Sequence, residues 1–190
     1  MPNDIDGDAR PRYRLDPGVS RFIVQAFSGG MLSALGHDPK FVARNLVGEV
    51  SFDPDAPNEA SLVMTLPAES LVLMDDVSDH DRRTIERMMH HDVLEESRFP
   101  EIVYRCPTAA VRSVGGGQLE VALTVELSLH GVTRPQRIRA TLSATHETLR
   151  AFGEFTLRQS DYAIRPVSVA GGALKVKDEL KCTFDIVARR

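Results

Sequence analysis

Apolar and polar residues alternate with a period of two along most of this 190-residue chain, the pattern of strands that bury one face. Phe22, Val24 and Ala26 share one parity; Val50 and Phe52 do so against Glu49 and Ser51, and Leu62, Met64 and Leu66 form a third set. Ile102, Tyr104 and Cys106 follow. The cleanest run is 119–129, where Leu119, Val121, Leu123, Val125, Leu127 and Leu129 occupy one parity and small or polar residues the other. Ile138, Ala140 and Leu142 continue the pattern, then Phe155 and Leu157, and finally Leu180, Cys182, Phe184 and Ile186. Turn sequences separate these runs: Asp53-Pro54-Asp55-Ala56-Pro57-Asn58, Gly115-Gly116-Gly117, His130-Gly131-Val132-Thr133-Arg134-Pro135 and Gly171-Gly172. About eight strands joined mostly by short turns predict an all-β antiparallel meander, because parallel pairs need helical crossovers that the chain lacks. A strand as long as 119–129 with one apolar face suits a barrel or strongly curved sheet better than a small sandwich.

Between Leu71 and Pro100 the period changes. Ser78-Asp79-His80-Asp81 reads as an N-cap with an acid three residues on, and Ile85, Met88, Met89 and Asp92-Val93 follow at helical spacing. This predicts one helical insertion near residues 78–95, whose Ile85, Met88 and Met89, together with Leu71, could cover a barrel mouth with adaptable side chains.

A closed sheet of this size has an interior that is filled by side chains or wide enough for one small ligand. Periodicity leaves the two open. The inward candidates are medium-sized and almost free of polar groups, so they cannot orient a polar substrate. They could hold a hydrocarbon chain, which contributes about 0.8 kcal/mol per buried CH₂ without any directional partner.

Composition narrows the function. Lys plus Arg is 23 against 27 for Asp plus Glu, a formal charge of −4 with a pI near 5.9, so there is no field to hold a nucleic-acid backbone. The longest charge-free stretch, 22–36, contains three glycines and is shorter than the ~18 apolar residues of a spanning helix. Residues 1–14 lack the apolar core of a secretory signal; the expectation is a disordered lead over 1–12, one domain over 13–190, and a cytoplasmic protein with two reduced core cysteines.

Catalytic patterns are missing. His37-Asp38, His80, His90-His91, His130 and His146 include no His-Glu-x-x-His, and adjacent His90 and His91 diverge by about 100° on a helix. No dedicated metal site is expected; His37, His90 and His91 are the least implausible ligands. No Gly-x-Ser-x-Gly elbow occurs, and Gly29-Gly30 with Gly36 lacks the Lys-Ser/Thr of a phosphate loop. Arg82 or Arg83 at a barrel rim could pair with an anionic head group, and Arg158 is a candidate for a fixed polar contact, with an ion pair to Asp161 as its alternative.

Six segments occur in order over about 13–187: Tyr13-Arg14-Leu15-Asp16-Pro17 with Ser20, Gly48-Glu49-Val50-Ser51-Phe52-Asp53, Phe99-Pro100-Glu101-Ile102-Val103-Tyr104, Leu127-Ser128-Leu129-His130-Gly131-Val132-Thr133-Arg134-Pro135, Arg158-Gln159-Ser160-Asp161-Tyr162-Ala163-Ile164 and Val176-Lys177-Asp178-Glu179-Leu180. Together they resemble the YceI-like, polyisoprenoid-binding family. The resemblance implies an eight-stranded lipocalin-like barrel holding a long isoprenoid or similar amphiphile, with helices near one end and no catalytic residues. Pro39 replaces a second histidine common after Gly36-His37-Asp38. Ala163 stands where glycine is usual, which suggests a turn without positive φ.

The expected function is non-catalytic binding, storage or transport of a long-chain isoprenoid, quinone or related lipid, with no cofactor beyond that ligand. The expected lining is Phe22, Val24, Val50 and Phe52; Leu62, Met64, Leu66 and Leu71; Ile85, Met88 and Met89; Ile102 and Tyr104; and Leu123, Val125, Leu127 and Phe155. Arg82 and Arg158 are the expected head-group contacts. The alternatives are a metal-assisted or hydrolytic enzyme on the same scaffold and a solid-core interaction module; a homodimer is left open.

Overall fold

The computed structural model describes residues 10–29, 38–169 and 174–190. His37, the Gly171-Gly172 turn, most of the Gly29-Gly30 to Gly36 stretch and residues 1–9 of the expected lead lie outside them.

Eight antiparallel strands close into a ring: β1 (Arg12–Leu15), β5 (Val47–Ser51), β6 (Ser61–Pro67), β8 (Glu101–Cys106), β10 (Gln118–Leu129), β11 (Val132–Ala144), β12 (Thr148–Arg158) and β15 (Glu179–Arg189), which returns to β1. The ring leaves no edge among these strands. The seam is tied by the Ser20 hydroxyl, which accepts from the Val187 N–H at 3.0 Å, and by Arg189 on Asp16 at 2.8 Å. Strand β1 begins at Arg12, and the Pro11 carbonyl accepts from the Phe52 N–H, so residues 11 and 12 of the expected lead pair with the barrel.

Of seven further strands among the described residues, all but β2 escape the periodicity, because most are short. β2 (Arg21–Gln25) pairs β15 beyond β1 and carries the predicted Phe22 and Val24; β4 (Lys40–Ala43) and β7 (Leu71–Leu73) extend the wall from it. β9 (Ala109–Gly115) forms a hairpin with β10, and β3 (Ser28–Gly29), β13 (Ser168–Val169) and β14 (Leu174–Val176) make a small separate sheet.

The predicted turn at 130–135 is shorter than expected. His130 and Gly131 both have positive φ, 51° and 75°, and form a two-residue hairpin loop whose twist suits right-twisted strands. Val132 through Pro135 already belong to β11. Pro135 sits opposite Glu126 and precedes the residues that pair β11 with β12, so its missing N–H leaves no gap in the ladder.

β7 would be an open edge, but helix α1 (Asp79–Arg87) covers it. Ser78 caps the helix by accepting from the Asp81 N–H at 3.1 Å, as the sequence suggested. Glu86 then accepts from the Leu73 N–H at 2.9 Å, and Arg82 donates to the Leu73 and Asp75 carbonyls. Charged side chains thus stand in for the missing neighbouring strand.

Candidate functional site: a covered apolar cavity

Among the described residues the barrel interior shows a cavity of about 460 Å³ beneath α1 and another of about 90 Å³ at the opposite end. Five of the ring strands, β6, β8, β10, β12 and β15, pass from one to the other, and their inward residues record the level. On β15, Ala188 and Ile186 line the small cavity, Phe184 lines neither, and Cys182 and Leu180 line the large one. On β12 the order is Leu149 and Ala151, then Gly153 and Phe155, then Leu157. β10 passes from Leu123 through Val125 and Leu127 to Leu129, and β6 from Leu62 through Met64 to Leu66. A packed layer therefore divides the barrel. Its Phe184 ring needs Gly153: a Cβ there would lie 2.5 Å from the Arg139 carbonyl oxygen and 2.9 Å from Phe184 Cζ.

Nine of the expected lining residues meet around the large cavity: Phe22, Val24, Leu66, Leu71, Ile85, Met88, Met89, Ile102 and Tyr104. Val50, Phe52, Leu62 and Leu123 line the small one. Met64, Val125, Leu127 and Phe155 line neither, because alternation reports which side of the sheet a residue faces and not its depth along the barrel. The two expected head-group arginines are also elsewhere. Arg82 is engaged with β7, and Arg158 is exposed beside Asp178. Asp161, the partner considered for Arg158, instead accepts from Arg134 at 3.2 Å.

Several lining residues were missed. Leu129, Leu157, Leu180 and Cys182 carried the right parity, whereas Ile164, Val167 and Lys175 lie in a loop and a short strand without periodicity. Lys175 is the one cation on the lining among the described residues. Gln159 is buried and donates to the Lys177 carbonyl at 2.9 Å. Deeper in, burial pushes the Cys182 thiol up to about 12 and raises the Tyr104 phenol well above its ordinary value. Both stay neutral at physiological pH, so the deep wall carries no charge.

The cover changes its winding above the cavity. After α1 comes a π-helical turn, Met88–Val93, in which the Leu94 N–H donates to the Met89 carbonyl at 2.9 Å. Five-residue spacing brings Met88 over Val93 and Met89 over Leu94, all four on the lining. The predicted α spacing would have turned Asp92 inward; it is exposed.

Beyond this turn the cover is fastened to the barrel. Glu95, at φ 47°, accepts from Arg98 and faces His130 Nε2 at 3.2 Å; His130 Nδ1 faces the Tyr162 carbonyl oxygen at 3.2 Å. The Phe99 ring packs on His130 with centroids 4.6 Å apart, in space that exists because residue 131 is glycine: a Cβ would lie 2.6 Å from Phe99 Cε1. His90 pairs with Glu96 at 2.8 Å. His130 thus ties the cover to the barrel, whereas the His90 contact lies within the cover itself. Among the described residues no group of three or more His, Cys, Asp or Glu could hold a metal ion, and no helix is long and apolar enough to cross a membrane.

A closed eight-stranded antiparallel barrel with a helix over a largely apolar internal cavity defines the lipocalin-like class. Within it, the chain belongs to the YceI-like domain family, whose model matches residues 13–188. BcnA of Burkholderia cenocepacia has a similar structure, with a TM-score of 0.71 at 17% identity over 91% of this chain and 98% of that one. A polyisoprenoid binding domain from Saccharophagus degradans, implicated in plant cell wall breakdown, gives 0.68 at 13% identity over 93% and 97%. The YceI protein of Campylobacter jejuni gives 0.54 at 11% identity over 77% and 81%. No curated protein sequence matches the chain.

Proposed function

We propose that the protein binds a long-chain amphipathic lipid, of the isoprenoid or quinone kind, in the large cavity and holds or carries it without chemical change. The observation that carries this reading is the 460 Å³ cavity under α1, whose deep wall is apolar and whose two buried titratable groups, Tyr104 and Cys182, are kept neutral. Such a wall rewards burial of hydrocarbon and offers a polar substrate little. The Saccharophagus relative, named for polyisoprenoid binding, supports the same ligand class.

Organic extraction and native mass spectrometry of the purified protein test it. A co-purifying lipid is expected. Protein that yields none, and that fails to bind fluorescent polyprenyl or fatty-acyl probes at micromolar concentration, would overturn the reading.

A further inference from the structure

The layer between the cavities closes the large one with aromatic rings. Phe22 and Tyr104 line the cavity and lie 5.6 Å apart; behind them Phe22 meets Phe155 at 6.3 Å, and Phe155 meets Phe184 at 6.4 Å. Phe22 is 2% exposed and Val125 1%, so the layer is packed through. A chain entering beneath the cover meets this floor, and packed interiors do not admit extra methylenes without strain.

The space above the floor sets a length. A dry protein cavity of roughly 150 Å³ takes one benzene, six carbons, so 460 Å³ takes roughly three such groups, or about 18 carbons. The 90 Å³ beyond the floor is smaller than one such group.

We infer that the Phe22–Tyr104 floor is a chain-length stop, and that the ligand is an amphiphile with one hydrocarbon chain of about 15–20 carbons. Its polar end lies at the rim near Lys175. The inference rests on the lipid-binding reading above and adds to it a size class and the residues that set it.

Saturated fatty acids of roughly 10 to 24 carbons, displacing a fluorescent fatty-acyl probe from the full chain, test the stop. Affinity should rise roughly fourfold per added methylene and stop rising at about 16–18 carbons. Val24→Phe, which adds a ring to the cavity wall and removes nothing from the core, should move the break several carbons shorter. Phe22→Ala should move it several carbons longer, and Phe22→Leu by fewer if the alanine variant does not fold. A break that stays in place in Val24→Phe, or affinity that climbs to the longest acid without one, overturns the stop while lipid binding stands. If neither the probe nor any acid binds, the lipid-binding reading itself fails.

Discussion

Glu95 and His130 are 35 residues apart in the chain, yet the carboxylate Oε1 and the imidazole Nε2 approach to 3.2 Å. This contact joins the end of the covering segment to the β10–β11 hairpin, and through His130 Nδ1 to the turn at Tyr162. It explains why Phe99-Pro100, His130-Gly131 and Asp161-Tyr162, three of the segments that marked the family, occur together: they make one fastening.

That fastening should loosen in acid. The Arg98 guanidinium, and after it His130, hold the Glu95 carboxyl below the usual carboxylate range. A lowered folded pKa means that the stabilisation is fully present above the unfolded value of about 4.3 and is lost as the pH falls through the lowered value. Amide exchange across 94–99 should therefore accelerate below about pH 4 relative to the barrel strands. In Glu95→Gln the exchange of 94–99 relative to the barrel strands should be nearly the same at neutral and acid pH; if it keeps the wild-type acid response, another group controls the fastening.

The cover and the barrel should respond differently to a buried charge. Met88 lines the cavity from the π turn, outside the strand ladder. Met88→Asp puts a carboxylate against any hydrocarbon occupant, which costs far more than exposing it to water, so probe retention should fall at least tenfold while the melting temperature changes by a few degrees. Unfolding of this variant would instead make the cover part of the core.

Val125 gives the opposite case. It sits in the dividing layer and lines neither cavity, with 1% of its surface exposed. Val125→Phe should overpack the layer and cost roughly 1–3 kcal/mol in denaturant unfolding. Unchanged stability would mean that the layer has free space.

Ala163 corrects an expectation directly. Its φ is 57°, so alanine occupies the left-handed conformation in which glycine was expected, and the turn does require it. The left-handed region costs a non-glycine residue roughly 1–2 kcal/mol, partly offset because alanine has less freedom to lose on folding. Ala163→Gly should stabilise the protein by roughly 0.5–1 kcal/mol with an unchanged denaturant slope. A loss of stability would show that the strain is relieved elsewhere.

The amino-acid sequence by itself determined β2, seven of the eight ring strands, the face each buries and the capped helix, because alternation and N-capping are properties of neighbours in the chain; β1, with four residues, showed no period. Parity alone placed Val24, Leu66 and Tyr104 on the inward face, without deciding whether that face met a cavity. Parity could not separate Val125 from them, since every inward residue of a long strand has the same period whether it meets a cavity or a packed layer. Short strands such as Leu71–Leu73 carry too few residues to show a period and form only because β4 and helix α1 pair with them. The five-residue winding at Met88, the positive φ at Ala163 and the pairing of His130 with Glu95 were decided by tertiary structure. Each depends on an element distant in sequence that supplies the contact holding it in place, and no local pattern encodes that contact.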